Sequence, residues 1–235
     1  MCSGFHCPSD SIRSSLWPAA EHFFVRPHMN LRSKIEETFG PGLFERPLFY
    51  SYPDGLRFEL SEGGTALQQF LTAHRKAMLI AQDAFFGSDH FAVCLRARTR
   101  HGCGFEFRHL LRELEAAQIG LPASRRLWAD AVDPGDWFDQ EEPQVDLTLA
   151  FTSSTSLLSN VLWCALAKDL GVRPRLLCDI YLLNFKTRIA VFPYDDRGMD
   201  VVGPNRPALQ QLYTQQQSLL LFHDLPQMQK TFRVP

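Results

Sequence analysis

The sequence predicts an α/β (α+β) fold: a single domain with a mixed, largely antiparallel sheet of about five to six strands, flanked by helices and carrying a C-terminal β-hairpin. Three observations point there. Strand-like and helix-like segments alternate along most of the 235 residues. The apolar runs 176–183 and 188–192 are joined only by Asn184-Phe185-Lys186-Thr187, short enough for an antiparallel hairpin. No glycine-rich fingerprint follows the first strand, and together with the hairpin this argues against an all-parallel dinucleotide-binding sheet.

In chain order, residues 1–28 mix Cys, Ser, Pro and His with little periodicity and are expected to be a poorly ordered leader, or the product of an upstream start assignment. N-terminal sequencing of the native protein distinguishes the two. The leader lacks a basic head followed by an apolar core, so it is not expected to be a signal peptide. The domain is expected to span 29–235. It opens with a helix over Leu31–Phe39, closed by Gly40-Pro41. Gly55–Leu60 alternates apolar and polar positions, the mark of a half-buried strand. Thr65 can cap a helix whose inward face is expected to hold Leu67, Phe70, Leu71, His74, Met78 and Ala81. A strand over Phe91–Leu95 and a helix over Arg108–Gln118 follow, the latter with Leu110, Leu111 and Leu114 inward.

Residues 121–144 are rich in Asp, Pro and Trp and predict an irregular loop or lid. Val145–Phe151 is the next strand, and the helix from about Ser156 to Leu170 ends at Gly171, with Pro174 beyond it. After the 176–192 hairpin, 199–202 is strand-like again, and a helix over Ala208–Gln217 leads into a polar, partly helical tail.

Composition narrows the function. With 24 Lys+Arg against 26 Asp+Glu, the chain lacks the basic excess of a general nucleic-acid binder. No apolar run approaches the roughly 20 residues that span a bilayer. The six cysteines form no CxxC pair; Cys94 and Cys164 lie inside apolar runs and are expected to be buried, so a reduced cytoplasm is the expected setting.

The richest cluster of chemistry is PYDDRGMDVVG, residues 193–203. Asp195-Asp196-Arg197-Gly198 lies between two strand-like runs. An aspartate opens a turn by accepting a backbone N–H two residues on, and glycine suits a left-handed position after it, giving a hairpin with a glycine bulge. Arg197 could pair with Asp195, Asp196 or Asp200 and pin the loop. The same residues allow another reading, in which Asp195 or Asp196 joins Asp200 around a divalent cation, or serves as a base beside Arg197. The structural turn is the favoured reading. The expected binding residues are Tyr194, Asp195, Asp196, Arg197 and Asp200, with Arg57 and Glu59 from the first strand. No catalytic residue, metal or cofactor is assigned.

Other candidates are weaker. Thr152–Ser156 sits at a strand-to-helix junction where an anion could bind, but it lacks the glycines and lysine of a phosphate loop and capping accounts for it. Cys103, between His101 and Gly104 and near Arg98, Arg100 and Arg108, could be an activated thiol; a glycine-rich turn explains the run equally well. Cys2, His6 and Cys7 lack the second ligand pair of a zinc site. Trp128, Trp137 and Phe138 among Asp130, Asp133, Asp136, Asp139, Glu141 and Glu142 suggest either a solvated lid or a contact surface for a basic partner.

Leu56–Leu60, the run from Leu162-Trp163 to Asp169–Pro174, Pro193–Val201 and the stretches 209–213 and 219–232 together resemble the bacterial family known as domain of unknown function 3885, over about residues 30–235. YDDRGMDV is the specific part. The resemblance implies a bacterial, cytoplasmic α/β protein and brings no activity with it. No nucleophile–base pair, metal cluster or phosphate loop stands out in the sequence, while acidic and aromatic loops do. The favoured function is therefore a non-enzymatic module that binds another protein, as toxin-immunity proteins do, without nucleic acid or membrane. The alternative is a metal-dependent hydrolase or transferase using the Asp-Asp-Arg-Gly hairpin.

Overall fold

The computed structural model describes residues 30–100, 105–132 and 144–232. Its helices are α1 (Leu31–Phe39), α2 (Leu48–Ser51), α3 (Ala66–Ala84), α4 (Phe105–Ala116), α5 (Leu158–Leu170), α6 (Arg206–Gln215) and α7 (Leu225–Phe232). Its strands are β1 (Leu56–Glu59), β2 (His90–Arg100), β3 (Arg126–Ala131), β4 (Gln144–Ser154), β5 (Asp179–Asn184), β6 (Ile189–Asp195) and β7 (Gly198–Val202). They form one seven-stranded sheet in the order β1-β7-β6-β5-β2-β4-β3. Every pairing is antiparallel, so the fold is α+β and the expected mixed sheet contains no parallel pair among the described residues.

The sheet separates two apolar layers. On one face, Phe58, Val93, Phe151, Leu182, Val191 and Val201 meet α3 to α7 in the main core. On the other, Cys94, Tyr181, Phe192 and Val202 meet α1, α2 and the single turn Pro41–Phe44. Because side chains alternate across a strand, β1, β2, β4 and β7 send apolar residues to the main core and polar ones, Asp200 alone in the case of β7, to the second layer. That second face carries the candidate site.

Several predicted elements stand as expected. Thr65 caps α3 in a reciprocal box with Gln68, satisfying N–H groups that the first helical turn would otherwise leave open. Gly171 ends α5 at φ 69°, the left-handed position where a side chain is strained. Cys94 and Cys164 are buried, and burial pushes the Cys164 thiol up to about 12. In the Ser/Thr cluster, Ser154 accepts the Ser156 N–H and the Thr155 hydroxyl donates to the Asp89 carbonyl, so this junction is satisfied within the fold.

Two expectations are corrected. Residues 126–131 lie in an edge strand, β3, rather than in an irregular loop, and Trp128 and Asp130 stand opposite Thr148 and Asp146 of β4. A half-exposed edge strand needs little apolar alternation, which hid it. On α3 the buried face holds Phe70, Ala73, Ala77, Ile80, Ala81 and Ala84, whereas Leu67 and Leu71 are 61% and 52% exposed. The alanine row lets α3 approach its neighbours closely, and the leucine pair, about 90° and about 130° round the helix from the centre of that row, faces out. Leu111 of α4 is likewise exposed, while Leu110 and Leu114 are inside. The leader with Cys2, His6 and Cys7, the Cys103 turn and residues 133–143 of the acidic aromatic stretch lie outside the described residues.

Candidate functional site: an arginine–aspartate pair in an aromatic cage

The site begins with strand register. Arg57 of β1 stands directly opposite Asp200 of β7, and Phe192 of β6 flanks Asp200 on the other side. Leu56 and Phe58 turn into the main core, which forces Arg57 onto the second face. There its Nε donates to Asp200 Oδ1 at 2.7 Å and its Nη2 to Asp200 Oδ2 at 3.0 Å. The same carboxylate accepts the backbone N–H of Phe49, at the start of α2, at 3.1 Å. Asp224 reaches in from the C-terminal segment, 3.4 Å from Arg57 Nη1, and takes the Tyr50 hydroxyl at 2.6 Å.

Three rings enclose the guanidinium: Tyr50 at 4.8 Å, Phe49 at 5.0 Å and Tyr194 at 5.4 Å from ring centre to Cζ. Such contacts favour a cation most where water is excluded. The Asp200 side chain is 1% exposed and that of Arg57 12%. Burial works against the charge on Arg57, but the Asp200 bonds outweigh it and hold the guanidinium protonated. Burial, then the Asp200 charge, push the Tyr194 phenol up to about 12. A cavity of about 440 Å³ opens beside the pair, with Arg46, Phe192, Tyr194 and Arg197 in its wall.

The hairpin residues separate. Asp195 folds back on its own turn: Oδ1 accepts the N–H groups of Arg197 (2.8 Å) and Gly198 (3.2 Å), and Oδ2 accepts Arg197 Nε at 2.9 Å. Asp196 turns toward α3, where Gln69 donates to it. Burial, and then the charge of Asp195, raise the Asp196 carboxyl above its ordinary value. The Arg197 carbonyl accepts Leu60 N–H at 2.8 Å, tying the turn to the end of β1. Glu59 is exposed on that strand end. Asp195, Asp196 and Asp200 are thus engaged by Arg197, Gln69 and Arg57 respectively, and no cluster of three or more His, Cys, Asp or Glu suited to a metal occurs among the described residues.

Gly198 has a different reason from the one expected. Its backbone is not in the left-handed region. A bulge between Pro193 and Asp195 shifts the β6–β7 register and brings Tyr194 over Gly198, where a Cβ would overlap the tyrosine hydroxyl. Glycine is there for close approach.

Of the expected binding residues, the structure brings Tyr194, Asp200 and Arg57 together. Sequence reasoning missed Phe49, Tyr50, Arg46 and Asp224, which arrive from outside the sheet by tertiary packing. A second polar cluster occupies the far end of the same face. Arg96 donates to Asp130 (2.9 Å), Thr148 (3.0 Å) and Asp146 (3.2 Å), and Arg98 clasps Asp146 with two bonds. Arg32 of α1 joins it through Asp130 and lies 5.5 Å over the Trp128 ring.

These features define a class: a single α+β domain on one antiparallel sheet, whose second face holds a buried arginine–aspartate pair and a partly exposed arginine–aspartate cluster. The chain belongs to the family described as "Domain of unknown function (DUF3885)", whose model matches residues 31–224. The match runs from the first residue of α1 to Asp224, the residue that closes on Arg57. No curated protein and no solved structure matched the chain. No helix among the described residues is long and apolar enough to cross a membrane.

Proposed function

We propose that the protein is a non-enzymatic, cytoplasmic protein-binding module, immunity-like in neutralising or scaffolding another protein, and that the outer face of α3 makes the contact. The observation that carries this reading is a set of exposed apolar side chains on that face. Leu67, Leu71 and Leu79 are 61%, 52% and 48% exposed, and Phe86, just past the helix end, is 83% exposed. At 100° per residue the three leucines fall within about one third of the helix circumference. Apolar side chains gathered on one exposed face mark a contact surface in a way that scattered ones do not. Gln68, Arg75 and Gln82, also exposed, lie among them, so the complementary surface combines apolar groups with hydrogen-bonding ones and carries few charges.

The three hairpin carboxylates support this reading from the other side, since each already has a protein partner. Mg²⁺ or Mn²⁺ is therefore expected to leave the melting temperature unchanged, whereas a metal-dependent hydrolase would be stabilised by its ion. The cytoplasmic assignment is supported by Cys94, Cys164 and Cys178, all buried free thiols.

The test compares the tagged native protein with a Leu67→Asp/Leu71→Asp variant, both isolated under gentle conditions from the cell of origin. A stoichiometric partner held by the native chain and lost from the variant, at equal melting temperature, supports the reading. A native chain that elutes alone, or a partner retained by the variant, removes it. If the native chain dimerises and the variant does not, α3 meets a second copy rather than another protein.

A further inference from the structure

Next to the Arg57 cavity, and sharing Arg46 with it, lies a larger cavity of about 730 Å³ on the second face of the sheet. Cavities of roughly 300–1,000 Å³ accommodate small-molecule ligands. Arg46, Arg96, Arg98, Asp146, Asp179 and Tyr181 line it. Tyr181 is fully buried, stacked on Phe192 at 4.3 Å and touched edge-on by Phe44 at 5.0 Å. Its hydroxyl has no hydrogen-bond partner. Burial, and then Asp179, push that phenol far up, so it is an O–H group able to donate. A buried hydroxyl left unpaired destabilises the fold, and a tyrosine serving only as packing could be phenylalanine.

The arginines around it are held but not exhausted. Asp179 is shared by Arg46, whose Nη1 lies 2.9 Å away, and by Lys168 at 3.6 Å. Asp146 is shared by Arg96 and Arg98, and Asp130 by Arg32 and Arg96. Three aspartates thus serve five cations; Glu36, paired with Arg32, and Glu45 on the rim bring the charge to balance. What the cavity has in surplus is N–H donors: each guanidinium carries five, and Arg46 places one nitrogen on Asp179 and Arg98 two on Asp146. Arg46 is held through a single nitrogen, Nη1 on Asp179, and its side chain is 49% exposed, so little holds it in place.

We propose that this cavity is a binding site for a small organic anion, a carboxylate or phosphate ester, gripped by Arg46 and Arg98 and hydrogen-bonded by the Tyr181 hydroxyl over an aromatic floor. Arg46 swings from Asp179 to the ligand and opens the way to Tyr181. The site is independent of the α3 surface and stands whether or not that surface binds a protein.

The full chain is titrated with inorganic phosphate and with citrate, against sodium chloride at matched ionic strength, by thermal shift and by calorimetry. One of the two raises the melting temperature saturably beyond chloride. Arg46→Gln weakens that binding about tenfold or more. Tyr181→Phe weakens it several-fold while the ligand-free protein melts no lower than the native one, a separation that a packing role for the hydroxyl does not produce. Absence of a saturable shift with both anions overturns the proposal, and so does unchanged affinity in either variant, which places the anion elsewhere.

Discussion

Arg57 and Asp200 face each other across β1 and β7 and are joined by two hydrogen bonds of 2.7 and 3.0 Å inside a cage of Phe49, Tyr50 and Tyr194. The pair ties together α2, through Phe49 N–H, and the C-terminal segment, through Asp224. Removing one partner of such a pair strands a buried charge, at about 3–5 kcal/mol. Arg57→Met and Asp200→Leu should each lower stability by that amount in urea unfolding. The double variant should cost clearly less than their sum, with a coupling of about 0.5–3 kcal/mol. Strict additivity would show that the pair does not act as a unit.

Tyr194 and Gly198 make a second prediction. Gly198→Ala should cost about 1–3 kcal/mol, because its Cβ drives the Tyr194 ring out of place. In a Tyr194→Ala background the same change should cost much less, the Phe58 carbonyl, 3.1 Å from the new Cβ, then being the nearest of the three contacts. An equal cost in both backgrounds would mean that the backbone, and not the ring, requires the glycine.

Asp196 and Asp146 should respond to pH with opposite signs. Burial and the neighbouring Asp195 raise the Asp196 carboxyl. Its contribution to stability is therefore full below the unfolded-state value and lost as pH rises through the folded one. Asp196→Asn, which keeps an acceptor for Gln69, should raise the melting temperature at pH 7 by about 1–3 °C, under about 1 kcal/mol for a chain of this length. The gain should fade as pH drops through the raised value.

For Asp146, burial pushes upward, but Arg98 and Arg96 outweigh it and hold the carboxyl below its ordinary value. Its contribution is present above the unfolded-state value and lost as pH falls through the lower folded one. Asp146→Asn should destabilise by about 1 kcal/mol at pH 7, a cost that disappears in acid. Melting curves from pH 3 to 8 check both signs.

Thr65→Ala removes one half of the α3 capping box and should cost about 0.5–2 kcal/mol. Hydrogen exchange should rise first in the opening turn of α3.

Local chemistry was legible wherever the signal lay within a few residues. Thr65 with Gln68, Gly171 after α5 and the Asx turn of Asp195 all follow from one side chain or one glycine meeting backbone groups close by in sequence. The hairpin carries Tyr194 and Asp200 within seven residues, but Arg57 meets them only because β1 pairs with β7 in register. β3 was not legible, because an edge strand of Arg, Leu, Trp, Ala and Asp looks like loop until β4 supplies its hydrogen bonds. The outward Leu67 and Leu71 were misread for a related reason: periodicity finds a row of leucines but does not say which row the sheet will cover.

The sequence alone determined the class of fold, the hairpin turn, the helix caps and the burial of Cys94 and Cys164, because each is set by local geometry or by water's exclusion of apolar runs. Only the tertiary structure decided that Asp195, Asp196 and Asp200 part company, that Asp224 and Tyr50 close on Arg57, and that Tyr181 keeps a buried hydroxyl beside three arginines. Those contacts join residues up to 174 positions apart, and a side chain's partner at that distance is chosen by how the layers pack.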